Sequence, residues 1–206
     1  MASFEEWVEM VLEHEGGFVD NPNDLGGVTN MGITQQTYSE FIGSQASRDD
    51  MENLTREGAI DYYRSLWGKL NLDSLPAELR IVYADVAVNT GKGGADRVLQ
   101  MAINTKLWPN NPDDWIDVDG MAGAGTIGAL GRANLTALDY VTEQLMYYAN
   151  NCFKGSSYSF KQRQRRATKD NSDDSADWFT TRTAQNGFLR GWTRRAFETY
   201  ERVKDS

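Results

Sequence analysis

The stretch Ser3-Phe4-Glu5-Glu6-Trp7-Val8-Glu9-Met10-Val11-Leu12-Glu13-His14-Glu15-Gly16-Gly17 decides how the chain is read. Phe4, Trp7, Val8, Val11 and Leu12 recur at the spacing of one helical face. Ser3 and Glu6 stand three apart ahead of that face, as a capping box requires. Gly16-Gly17 supplies a left-handed stop. Glu15 falls four residues after Val11 and seven after Val8, so it extends the apolar stripe at the last turn. A carboxyl placed there is pushed toward its neutral form by desolvation. The negative pole of the helix dipole pushes the same way. Those are the conditions for a general acid near neutral pH.

Residues 18–33 do not read as helix. Asn21-Pro22-Asn23 and Gly26-Gly27 are turn signals between Phe18-Val19 and the run Val28–Ile33. The expectation is a small β-hairpin near residues 17–34. Folded back over the helix end, it would set Asp24 and Thr29 across a cleft from Glu15. Glycoside cleavage pairs a protonated carboxyl with a carboxylate on the other side of the sugar. Asp24 suits the second role, and the Thr29 hydroxyl, both donor and acceptor, suits holding a water. By spacing alone the signal is weak. A Glu before a glycine pair is most often a surface residue, and an Asp in a glycine-rich turn most often bonds nearby backbone.

Helical patterns dominate the rest. Thr34 is placed to cap a helix carrying Tyr38, Phe41 and Ile42, stopped by Gly43. Thr55 heads another with Ala59, Ile60, Tyr63, Leu66 and Trp67. Pro76 opens a third with Leu79, Val82 and Val86, stopped by Gly91, and Val98, Leu99, Ala102 and Ile103 mark a fourth. A loop at 105–125 precedes a short helix near 126–133. Leu138, Val141, Leu145, Tyr148 and Cys152 predict one face of a longer helix, and Phe188, Leu189, Trp192, Ala196, Tyr200 and Val203 that of a final one. The fold class expected is mainly α with one small β excursion. The loop suggests two regions, 1–104 and 105–206, either separate or packed as one domain.

The 206 residues, 40% hydrophobic and 11% aromatic, suffice for a substantial core. The net charge of −9 argues against nucleic acid as a main partner. No apolar run has the length of a membrane span, and Met-Ala-Ser-Phe-Glu-Glu lacks the marks of a secretory signal. One cysteine, Cys152, permits no internal disulfide. The single histidine, His14, and that cysteine make no metal-ligand spacing, so neither metal nor cofactor is expected. Lys161-Gln-Arg-Gln-Arg-Arg166 is basic and Asp170–Asp177 acidic, most simply a solvated, internally paired loop, with a basic patch that touches an anionic surface as the alternative. No Gly-X-Ser-X-Gly elbow is present, and the glycines of Gly91–Asp96 do not form a phosphate loop.

The run Glu15-Gly-Gly-Phe-Val-Asp-Asn-Pro-Asn-Asp24-Leu-Gly-Gly-Val-Thr29-Asn-Met-Gly-Ile-Thr34 resembles the signature of glycoside hydrolase family 108, the phage and bacterial N-acetylmuramidases. The resemblance continues through Leu54–Arg64, Trp67, Asp85–Gly91 and Leu99-Gln100. Asp119-Gly-Met-Ala-Gly-Ala-Gly-Thr-Ile-Gly-Ala-Leu130 and Gly187–Trp192 are similar to the peptidoglycan-binding region that usually follows the catalytic part. Phe18 stands where the family commonly has Tyr, and Ala124 where it has Pro.

The resemblance implies a lysozyme-like α fold and hydrolysis of the β-1,4 bond between N-acetylmuramic acid and N-acetylglucosamine. Its catalytic glutamate falls on Glu15, and the order seen in phage-type lysozymes adds Asp24 and Thr29. Asn30, Asn89 and Gln100 are candidate substrate contacts, with cap and packing roles as their ordinary alternatives. Trp67, Trp108, Trp115, Trp178 and Trp192 are candidate sugar platforms, more often core. The setting implied is a phage endolysin, monomeric, made in host cytoplasm and acting on the peptidoglycan of the wall. The acidic charge gives no steering toward that anionic polymer. A lytic transglycosylase and a non-catalytic peptidoglycan-binding phage protein are the alternatives.

Overall fold

The computed structural model describes residues 3–14, 16–20, 28–107, 115–153 and 186–204. Glu15, Asp24, Trp108, Trp178 and the 161–166 segment lie outside the described residues, as do the side chains of His14, Cys152, Phe188, Leu189 and Trp192. Contacts gather the chain into two units, Met1–Arg80 and Ile81–Ser206.

The first unit begins with α1 (Phe4–His14). Its capping box forms as the sequence requires: Ser3 N donates to Glu6 Oε2 at 2.9 Å and Glu6 N to Ser3 Oγ at 3.1 Å. Trp7, Val8, Met10 and Val11 are buried. Strand β1 (Thr29–Asn30) pairs antiparallel with β2 (Ile33–Thr34), Thr29 opposite Thr34 and Asn30 opposite Ile33. Between them Met31 and Gly32 both take positive φ, 47° and 74°, the backbone of a primed two-residue turn. The turn signals read from the sequence were upstream, at residues outside the described ones. Met31 is an unusual occupant of that φ, and its carbonyl is held by a 2.8 Å bond from Tyr63 Oη.

Next come α2 (Gln35–Ile42), α3 (Arg48–Glu52) and α4 (Arg56–Lys69). Thr34 caps α2 through Thr37 N, and left-handed Gly43 ends it. Thr55 caps α4 through Gly58 N at 3.1 Å. Helix α3 is an addition to the sequence reading, though Ser47 and Asp50 form its full capping box. α1 packs on α4 through an aromatic cluster. The Trp7 ring centre lies 5.0 Å from that of Trp67 and 5.7 Å from that of Tyr63, the latter edge-on. Phe4 lies edge-on to Trp67, with the Arg64 guanidinium 4.1 Å above its ring. Trp67 therefore serves this cluster. Emptying its centre by Trp7→Ala costs about 3–5 kcal/mol.

A single 3₁₀ turn, Leu72–Ser74, leads to α5 (Ala77–Leu107), which starts directly after Pro76. Gly91 interrupts α5 with φ 69° and ψ 170°, so the run is two helices meeting at the glycine marked as a stop. In the second unit α6 (Ala124–Ala133), α7 (Ala137–Phe153) and α8 (Asn186–Val203) follow, α7 packing against α8.

The buried face of α7 is rotated from the predicted one. Ala137, Tyr140, Val141, Gln144 and Tyr148 are buried, whereas Leu138 is exposed. The buried polar side chains on this face find their hydrogen-bond partners inside. Tyr140 Oη donates to Ala95 O at 3.3 Å, and Gln144 Nε2 to Tyr148 Oη at 3.2 Å.

Candidate active site

In the first unit three pieces of backbone meet at Thr29. Val19 N donates to Thr29 O at 2.8 Å, and Thr29 N to Val19 O at 2.9 Å, while Thr29 also faces Thr34 across the hairpin. Gln35 N extends the ladder to Val28 O at 2.8 Å. The segment following Glu15-Gly16-Gly17 is thus paired with the strand that carries Thr29, which is the hairpin return the sequence predicted. Tyr63 ties the arrangement to α1, since its ring packs on Trp7 and its hydroxyl holds Met31. Position 15 directly follows the last residue of α1, four beyond buried Val11.

Thr29 and Asn30 point to opposite faces, as neighbours in a strand must. Asn30 is buried, and its Nδ2 donates to Met51 O at 2.8 Å. Thr29 lies on the half-buried face, and its hydroxyl has no hydrogen-bond partner among the described residues. Of the first unit's described candidates, Thr29 has capacity for a water or a sugar hydroxyl, while Asn30 fastens the hairpin to α3.

In the second unit Asn89 Nδ2 donates to Asp85 O at 3.2 Å and to Tyr148 Oη at 3.4 Å, linking α5 to α7. Burial, with Asp85 nearby, pushes the Tyr148 phenol well above its ordinary value, so it stays neutral. Gln100 is buried and clasps the loop after α5. Its Nε2 donates to Asp119 Oδ1 at 2.7 Å, and its Oε1 accepts from Gly120 N at 2.9 Å. Arg97 adds a bond to Asp119 O at 3.1 Å, and Asn104 exchanges two bonds with Ile116 at 2.8 and 2.9 Å. Arg97, Gln100 and Asn104 thus form one helical stripe that grips residues 116–120. Gly120, at φ 80°, admits no side chain, because an added Cβ would lie 2.7 Å from the Arg97 guanidinium and 2.9 Å from Gly93 O. The Asp119-Gly120 pair has a structural explanation in this clasp.

Sequence reasoning missed Arg48, Met51 and Tyr63 as supports of the hairpin. The Ser47-X-X-Asp50 spacing was the available signal for α3, and nothing local marks Tyr63 for the turn at Met31. Among the described residues no group of three or more His, Cys, Asp or Glu could hold a metal ion. No helix described is long and apolar enough to cross a membrane.

No curated protein matches the chain significantly. Among solved structures, that of Brucella abortus SagA matches with a TM-score of 0.67 and 27% identity, over 98% of this chain and 94% of its own. Residues 8–91 match the family described as Glycosyl hydrolase 108. That span contains Glu15, Asp24, Thr29, Asn30 and Asn89 and ends at the break in α5. The mainly helical fold with its small hairpin is lysozyme-like, and the match of residues 8–91 to the glycosyl hydrolase 108 family supports glycoside hydrolase activity on peptidoglycan.

Proposed function

We propose that the protein is an endolysin-type muramidase, cleaving the β-1,4 bond between N-acetylmuramic acid and N-acetylglucosamine. Glu15 protonates the leaving glycosidic oxygen. Asp24 supplies negative charge to the oxocarbenium-like transition state, and Thr29 places the attacking water. The observation that carries this reading is the backbone pairing of Val19 with Thr29. It returns the chain from the segment after Glu15 to the Thr29 hydroxyl within the family's own span. The chemistry needs a proton donor and a water holder on facing segments, and this pairing supports that arrangement. Asn30 enters the proposal through the hairpin it fastens, and Asn89 and Gln100 as candidate glycan contacts of the second unit. Synthesis in host cytoplasm with action on the wall, as a monomer, completes it.

Mass spectrometry of digested peptidoglycan tests the proposal. Reducing N-acetylmuramic acid ends are expected. Ends at N-acetylglucosamine would place the cut at the other bond. 1,6-Anhydro ends would mean transglycosylation, and intact glycan would mean binding without cleavage.

A further inference from the structure

Residues 18–20 and 28–30 are the two stems on either side of 21–27, and both are fastened to α3. On the first stem, Asp20 Oδ2 accepts from Arg48 Nε at 2.9 Å. The same guanidinium lies 5.1 Å from the centre of the Phe18 ring. A third contact, Arg48 Nη1 to Glu52 Oε2 at 2.7 Å, steadies it from within α3. On the second stem, buried Asn30 Nδ2 bonds Met51 O. Helix α3 is itself fixed at its start by the Ser47–Asp50 capping box.

We infer that Arg48 is a positioning residue of this hydrolase: through Asp20 and Phe18 it fixes the stem next to Glu15 on the same short helix that holds the Thr29–Asn30 stem. The inference rests on the proposed roles of Glu15, Asp24 and Thr29. Arg48 is described in contact with Phe18, Asp20 and Glu52, and it acts through the stem. Its side chain is 52% exposed and that of Asp20 43%. A pair so exposed contributes little to global stability. Small displacements of reacting groups, in contrast, lower turnover steeply. The signature of the clamp is therefore a rate loss without a folding loss.

The test is a double-mutant cycle of Arg48→Ala and Asp20→Ala in the full chain, assayed on purified peptidoglycan, with thermal melts and amide exchange at Val19 and Thr29. Each single variant and the double are expected to lose about tenfold in kcat, with KM within about twofold. The losses should not add, Tm should move by no more than about 2 °C, and both amides should exchange faster. Arg48→Lys, which keeps the charge, should recover part of the rate. Wild-type turnover in Arg48→Ala, additive losses, or a rate loss that follows Tm would each overturn the clamp. A wild-type protein that cleaves no glycan would instead overturn the functional reading, and the positioning role with it.

Discussion

Arg195 Nε donates to Asp85 Oδ1 across 2.6 Å, with 8% and 0% of the two side chains exposed. The pair joins the last helix, α8, to α5 inside the second unit. Removing one member deprives the other buried charge of this contact. Arg195→Met and Asp85→Leu are each expected to cost about 3–5 kcal/mol in urea unfolding. The double variant, with neither charge, should recover most of that loss. Single variants as stable as wild type would show that the pair contributes nothing to the second unit.

Gly91 offers a second stability test. Its φ of 69° and ψ of 170° fall in a region that only glycine occupies readily. Among the described residues, no atom beyond its chain neighbours and the backbone of its own helix lies within 4 Å of the position a Cβ would take. The cost of Gly91→Ala is therefore backbone strain without a clash, about 1–3 kcal/mol. A chemical denaturation midpoint unchanged from wild type would mean that the break relaxes into continuous helix.

Asp119 gives a pH dependence. The hydrogen bond from Gln100, followed by that from Met121 N, holds its carboxyl below the ordinary value of 3.8. A depressed carboxyl adds stability above that ordinary value and loses it as pH falls through the lower folded value. Asp119→Asn should therefore melt below wild type at neutral pH, with the gap closing in acid. Melting curves separated equally at all pH values would assign the effect to shape instead of charge.

Glu15→Gln is expected to lose glycan cleavage while keeping its circular dichroism spectrum and thermal midpoint. Turnover close to wild type would move the proton donor elsewhere. For the intact enzyme, water placement by Thr29 opposite the donor predicts inversion at the anomeric carbon. NMR of the first products reads this directly, and a retained β anomer would remove Thr29 from that role.

Much of the fold was legible where a local signal and the tertiary contacts agree. The Ser3–Glu6 box, the Thr34 and Thr55 caps, and the stops at Gly43 and Gly91 each satisfy orphan backbone groups or a required φ, so the residue type announces the geometry. Leu138 and Gln144 show where that logic ends. Hydrophobic periodicity ranks leucine inside and glutamine outside, but a glutamine whose donor is satisfied loses little on burial. The Met31-Gly32 turn was hidden for a different reason. Methionine carries no turn signal, and the bond that holds it comes from Tyr63, 32 residues away. At the candidate site, the motif announced Thr29 and Asn30 together, yet only pairing distinguishes the hydroxyl facing outward from the amide committed to Met51. Arg48 was invisible because its partners, Phe18 and Asp20, become neighbours only once α3 exists.

The hairpin is two residues long on each side, and that brevity leaves it no slack. Its sorting of Thr29 and Thr34 from Asn30 and Ile33 is a matter of parity. A single residue inserted at or deleted from Met31-Gly32 would send every later side chain through the opposite surface of the ribbon. Ile33, now without exposed surface, would turn to water, and a threonine would be driven inside in its place. Length variation at this tip is consequently forbidden in odd steps, however freely other loops of the chain change.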